Sequence, residues 1–195
     1  IVSCQFCMHY FFKSKIMLKE FLINITQNLM IGGKFIATCF DGKKIFKLLD
    51  GKDKVEQTND EGKIIWKISK KYKDKKLFDD ETSLGIPIGV YVNTFNKMEE
   101  EYLVNLDYLE KILPDFGLEI EIKEPFEKHY NTVRANGTLE VEVNKESQQF
   151  SFLNTSVIIV KKNKYEPNVS EVNVEKFISN VNVLEEEDLG ITMLD

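Results

Sequence analysis

The chain has 195 residues, 43% hydrophobic and 30% charged, which suits one globular domain with its own core. Its net charge of −6 resides in residues 163–195, where eight acids face two lysines; the remaining body carries 24 of each sign. A neutral body excludes strong non-specific binding to nucleic acid but leaves room for a pocket that takes one terminal nucleotide. No apolar run is long enough for a membrane helix and no signal peptide is present, so no membrane partner is expected. The text starts in mid-pattern at Ile1, and we read that start as a truncation or a chain boundary.

Taken in chain order, residues 1–7 read as the end of a strand. Ser14 can cap a helix whose Leu18, Leu22, Ile25 and Leu29 share one face, and Gly32-Gly33 stops it. Lys34–Cys39 is a short apolar strand. Strand, helix, glycine turn and strand make the α/β pattern of a parallel sheet. Asp41-Gly42 turns the chain, and Lys43–Leu49 predicts a short helix. Residues 50–62 read as a polar loop, Ile64–Ser69 as a strand, Tyr72–Leu84 as a charged loop and Gly89–Phe95 as a strand. Tyr102, Leu106, Leu109 and Leu113 predict a second amphipathic helix, ended by Pro114 and Gly117. Leu118–Ile122 and Val157–Val160 read as strands, and Glu124–Phe152 carries no clear period. Residues 163–195 form an acidic tail expected to be extended or disordered.

Cys4, Cys7 and Cys39 are odd in number and lack a secretion signal, which points to an intracellular, reducing compartment. Cys4-x-x-Cys7 followed by His9 has zinc-like spacing, but a four-ligand site would need Cys39 and His129 as well. The plainer reading is of small residues at a buried strand end, and no metal is expected. The densest chemistry lies in Ser3–Phe12, SCQFCMHYFF. Strand carboxyl ends are where open α/β sheets bind ligands. Gln5, His9 and Tyr10 offer hydrogen bonds, and Phe6, Tyr10 and Phe11 offer flat faces for a purine. On the residues alone, the alternative stands that these aromatics and the lone histidine are core.

SCQFxxHY with a following aromatic, then GGxFIxT, then Glu101-Tyr102-Leu103-Val104, resembles the mRNA cap guanine-N7 methyltransferases, nearer the large-DNA-virus branch. The likeness covers residues 1–162. It implies the C-terminal portion of a Rossmann-like class I methyltransferase sheet, with S-adenosylmethionine as donor and the 5′ cap of mRNA as acceptor. Position by position, Gln5 and Phe6 match residues lining the donor. His9 and Tyr10 match residues that contact the cap guanine, and Glu101 matches the glutamate that reads its Watson–Crick edge. Taken from its run Glu99-Glu100-Glu101 alone, Glu101 would be solvated. No acid or base is required, because guanine N7 is unprotonated at neutral pH. The glycine-rich donor loop and the ribose-binding acid are absent from the residues given, so the chain by itself is expected to be inactive. The aromatic that the family often carries near its last strand is replaced by Asn154-Thr155-Ser156, with Phe150 and Phe152 as candidates nearby. Other capping domains or subunits are expected partners, in the nucleus or, for a virus, a viral factory or the host cytoplasm. Two rival readings remain open at this point: a methyltransferase acting on a small molecule, and a non-catalytic subunit of a capping complex.

Overall fold

The structure, a computed structural model, describes residues 1–137 and 143–165. Eight strands form two four-stranded sheets. The first contains β1 (Val2–Gln5), β2 (Lys34–Phe40), β8 (Asn154–Lys161) and β7 (Leu118–Pro125), in that order. β1 and β2 run parallel, joined through α1 (Lys15–Asn28), whereas β8 is antiparallel to both β2 and β7. The α/β pattern thus holds, but one pairing of the three is parallel. The chain returns from β7 to β8 beside it, so the last two strands form an antiparallel hairpin with a long connection.

The helix between β1 and β2 follows its sequence closely. The Ser14 hydroxyl accepts from the Met17 amide at 3.3 Å, satisfying one of the donors that a helix start leaves open. Leu18, Leu22, Ile25 and Leu29 are all buried, in one cluster with Phe35, Ala37 and Cys39 from β2 and with Val157 and Ile159 from β8. Alternation along β2 puts those three residues on one face. Each such aliphatic or aromatic side chain contributes roughly 1.5–3 kcal/mol by leaving water.

The second sheet is a meander of β3 (Lys54–Thr58), β4 (Ile64–Lys70), β5 (Pro87–Val92) and β6 (Lys97–Tyr102). It packs one face on α2 (Gly42–Leu48), around Ile45, Leu49, Trp66, Ile68 and Ile88. Two sequence expectations are corrected here. Residues 50–62 are not all loop, since Lys54–Thr58 pairs with β4. Tyr102 does not open a helix: it ends strand β6, and α3 (Leu106–Ile112) begins four residues later, capped by the Asn105 side chain. The stretch without a period holds α4 (Phe126–Ala135) and α5 (Lys145–Ser151). The compact unit runs from Ile1 to Tyr165, whose ring stacks on Phe116. The acidic tail from residue 166 onward lies outside the described residues.

Candidate active site

β1 ends abruptly. Phe6 has a left-handed backbone, φ +55°, unusual for a residue with a side chain. Its amide still bonds the Thr38 carbonyl at 2.8 Å, but the turn throws its ring outward, 56% exposed, edge-on to Phe126. Backbone strain of this kind persists where neighbouring structure holds it, and it gathers at functional sites. Gln5 is opposite Thr38 in the parallel pair. Its carbonyl accepts from the Thr38 hydroxyl at 2.8 Å, and its amide reaches the Ser3 hydroxyl and the Ile36 carbonyl. Gln5 therefore ties the two strand ends together, and Thr38 belongs to the site as its partner.

A 3-10 turn follows at Met8–Lys13, burying Met8, His9 and Phe12 while Tyr10 stays 54% exposed. The Tyr10 ring lies 4.1 Å from the His9 ring, tilted by 53°. His9 Nε2 is buried without a hydrogen-bond partner. His9 Nδ1 sits 3.4 Å from Oε2 of Glu101, which arrives from edge strand β6. The acidic run is not uniform: Glu99 and Glu100 are exposed, with Glu100 paired to Lys71 at 3.1 Å, whereas the Glu101 side chain is 16% exposed beside His9. Burial pushes Glu101 up to about 7, helped by the charge of Glu99, and pushes His9 down to about 4. Both shifts disfavour charge, so the contact is a close approach of two dry groups and not a fully charged ion pair.

One close approach sets the height of Glu101 against the first sheet. The Gly42 amide donates to the Val104 carbonyl at 2.9 Å, and a Cβ at Gly42 would lie 2.6 Å from that oxygen. Only glycine lets the end of β2 and the segment after β6 meet there.

The cysteines show packing. Cys4 and Cys39 are buried, and burial raises both thiols, Cys4 to about 12. Cys4 Sγ contacts Cys7 Sγ at 2.6 Å. No group of three metal-ligating side chains occurs among the described residues, and His129 instead meets the Ser156 hydroxyl at 2.8 Å. Of the two aromatics near the last strand, Phe150 is taken up by Trp66 and Phe40. Phe152 packs on Tyr130 beside a recess of about 210 Å³ that Phe126 and His129 also line. Through Phe126 that recess adjoins Phe6, a proximity for which the sequence between β7 and β8 offers no signal. Among the described residues no helix is long and apolar enough to cross a membrane.

Against known proteins, the family model for the mRNA (guanine-N(7))-methyltransferase domain matches residues 1–175. A probable mRNA-capping enzyme of Acanthamoeba polyphaga mimivirus is 32% identical over 68% of this chain and 12% of its own length. The mRNA cap guanine-N(7) methyltransferases of Eremothecium gossypii and Saccharomyces cerevisiae are 26% and 28% identical, each over 67% of this chain. The chain spans 31% and 30% of those two relatives. Among solved structures, an S-adenosylmethionine-dependent methyltransferase from Clostridium acetobutylicum aligns at a TM-score of 0.48 and 15% identity, over 83% of this chain and 57% of its own.

Proposed function

Since the chain belongs to the mRNA (guanine-N7)-methyltransferase family, we propose that it supplies the acceptor-binding half of an enzyme that methylates N7 of the terminal guanosine of capped mRNA. Its first sheet is the C-terminal portion of the Rossmann-like class I methyltransferase fold. The observation that carries the reading is the dry meeting of Glu101 with His9 at the carboxyl end of that sheet. A carboxylate held away from water is poised for a ligand that brings its own donors. Guanine brings two on one edge, N1–H and the N2 amino group, and a charge-assisted pair of this kind is stronger than a neutral one. Adenine lacks that pair, so the same contact selects the base.

Each neighbour then has work that fits its position. If a bound guanine holds Glu101 ionised and Nδ1–H faces it, His9 presents a lone pair at Nε2, the buried atom that lacks a partner and that a ligand donor would satisfy. Tyr10 offers its exposed ring face to a purine. S-adenosylmethionine, when bound, supplies a methyl group activated on a sulfonium. The exposed Phe6 ring and the Gln5–Thr38 tie stand at the strand ends where class I sheets hold ligands, and they fit a flat, polar-edged donor. Guanine N7 offers its lone pair unassisted, so the chain's contribution is orientation and a carboxylate that favours the purine as it becomes cationic.

The test is steady-state kinetics of the full gene product on the cap dinucleotide GpppG. Glu101→Gln keeps the shape but turns one acceptor into a donor facing a donor. An unpaired buried polar group costs roughly 1–3 kcal/mol, so kcat/KM is expected to fall about tenfold or more. Glu100→Gln, whose side chain points to Lys71 and water, is expected to stay within about twofold. Equal small effects at both positions would return Glu101 to a structural role. Methylation of a small molecule in preference to GpppG would sink the cap assignment.

A further inference from the structure

We propose that Cys4 and Cys7 are a modification site: hydrogen peroxide joins them in a reversible disulfide that clamps the turn at the end of β1. The inference stands on the two thiols and that turn, and it holds whatever ligand the neighbouring site takes.

Cys4 lies in β1, and Cys7 leads into the 3-10 turn, with Gln5 and Phe6 between them. In a strand that ran on, residues three apart would stand about 10 Å from each other and point to opposite faces. Two cysteines so placed cannot be bridged without moving the backbone. Here the left-handed backbone of Phe6 folds the chain back, and Sγ of Cys4 meets Sγ of Cys7 at 2.6 Å. The sulfurs need move only a fraction of an ångström to bond. The turn is also pinned on both sides of the pair. The Phe6 amide donates to the Thr38 carbonyl at 2.8 Å, and the Tyr10 amide donates to the Cys7 carbonyl at 3.3 Å. The fold thus gives this strained turn a second product beside the outward Phe6 ring: two thiols held in reach of one another.

Burial divides the roles. Cys7 is partly exposed, whereas Cys4 and Cys39 are 6% and 1% exposed. Burial pushes the Cys4 thiol up to about 12, with the neighbouring Cys7 adding to the shift, and burial raises Cys39 as well. A thiolate is the form that attacks an oxidant, so the accessible sulfur reacts first and the buried, protonated one resolves it.

The Cys7 thiolate attacks one oxygen of hydrogen peroxide. An S–O bond forms, the O–O bond breaks, and the departing hydroxide takes up the proton that Cys7 released. Cys7 is oxidised to a sulfenic acid and the peroxide is reduced to water. The Cys4 sulfur then attacks the Cys7 sulfur. The S–S bond forms, the S–O bond breaks, and hydroxide leaves with the Cys4 proton as a second water. Two thiols and one peroxide give one disulfide and two waters. A thiol reductant reverses the step by attacking the accessible Cys7 sulfur, while Cys4 leaves and regains a proton. A second reductant thiol then frees Cys7 and carries the oxidation away as its own disulfide. Where thiols are kept reduced, a bond of this kind is transient and responds to oxidant.

The clamp closes over functional ground. It encloses Gln5 and Phe6, and His9 follows two residues after Cys7, with Nδ1 3.4 Å from Glu101. A covalent tie across the turn limits its local opening, so the amides beside it should exchange with water more slowly.

The test uses the full gene product. It is treated with hydrogen peroxide, denatured, alkylated and digested with trypsin; the peptide that ends at Lys13 carries both Cys4 and Cys7. That peptide is expected to take up no alkyl group and to be lighter by two hydrogens. Dithiothreitol should restore both alkylation sites, and Cys39 should alkylate throughout. In the folded, oxidised protein, the amides of residues 6–10 should exchange at least about tenfold more slowly than in the reduced protein. Cys7→Ser and Cys7→Ala should leave Cys4 reduced and exchange unaffected by peroxide, whereas Cys39→Ala should form the bond as the wild type does. Oxidation of Cys7 to the sulfinic acid without a bond, or a link from Cys4 to Cys39, would overturn the pairing. A bond that leaves exchange unchanged or makes it faster would overturn the clamp. The peptide mapping is read on the wild-type protein, so it decides the pairing even where a variant fails to fold.

Discussion

The first sheet buries one side under α1 and α3 and draws its order from an apolar rhythm: Phe35, Ala37 and Cys39 on β2, Val157 and Ile159 on β8. The second sheet has a smaller core on one side and carries lysines, glutamates and half-buried tyrosines on the other. The two contribute different things to the proposed site. From the first come a strained strand end and a buried imidazole, held by dense packing. From the second comes a carboxylate carried into dry surroundings by an edge strand. Stiffness and desolvated charge thus have separate sources, and each can be disturbed with limited damage to the other.

The largest effect is expected from the core of the second sheet. Trp66 is 3% exposed, packs on Phe150 and donates its indole N–H to the Glu146 carbonyl at 2.9 Å. Trp66→Ala should cost about 3–5 kcal/mol by denaturant titration followed by circular dichroism. If the second sheet opens apart from the first, limited proteolysis of the variant should cut first within residues 50–102. Cleavage spread evenly over both sheets would show that they unfold as one.

A smaller effect, with the opposite sign, belongs to the carboxylate between the sheets. Burial sets Glu101 at about 7 in the folded chain, against an ordinary carboxylate value of 4.5. The folded state therefore holds this proton more tightly than the unfolded one. Stability falls as pH rises from 4.5 through 7, by at most about 3 kcal/mol for this group. Glu101→Gln never ionises, so it should match the wild type near pH 5 and be the more stable of the two at pH 8. His9, held down at about 4, and the exposed Glu99 remain in both proteins and largely cancel in the difference. Thermal melts at the two pH values measure this directly. A variant less stable than wild type at pH 8 would show that Glu101 serves the fold. Greater stability together with lost kcat/KM is the signature of a residue held for a ligand.

How much was legible follows the same division. α1 and its serine cap, β2, α2 and the last strand were readable, because their apolar residues recur at the period of the element. β3 and β6 were not. KVEQT and KMEEEY are strands whose alternation is carried by charge and by neighbours across the sheet, and β6 lies at an edge where water takes half its surface. That is why Tyr102 read as the first residue of a helix. At the site, the segment Ser3–Phe12 announced itself by density of polar and aromatic residues. The partnership of His9 with Glu101, 92 residues apart, and the approach of Phe126 to Phe6 depend on tertiary packing that no local pattern encodes.

The smallest effect is expected at Phe6, where it isolates strain. A left-handed backbone at a residue with a Cβ costs roughly 1–2 kcal/mol, and glycine escapes that cost. Glycine also gives the unfolded chain more freedom, which takes back roughly 0.5–1 kcal/mol. Phe6→Ala and Phe6→Gly both remove the same ring, including its edge contact with Phe126. They differ only in the backbone term. Phe6→Gly should therefore be more stable than Phe6→Ala by on the order of 1 kcal/mol in paired urea titrations. Both should lose affinity for S-adenosylmethionine alike, measured by calorimetry on the full gene product, because the exposed ring is what each has lost. If Phe6→Ala is at least as stable as Phe6→Gly, the turn at φ +55° stores no strain. If donor affinity survives in both, the ring is not a donor contact, and the end of β1 serves only to place His9 against Glu101.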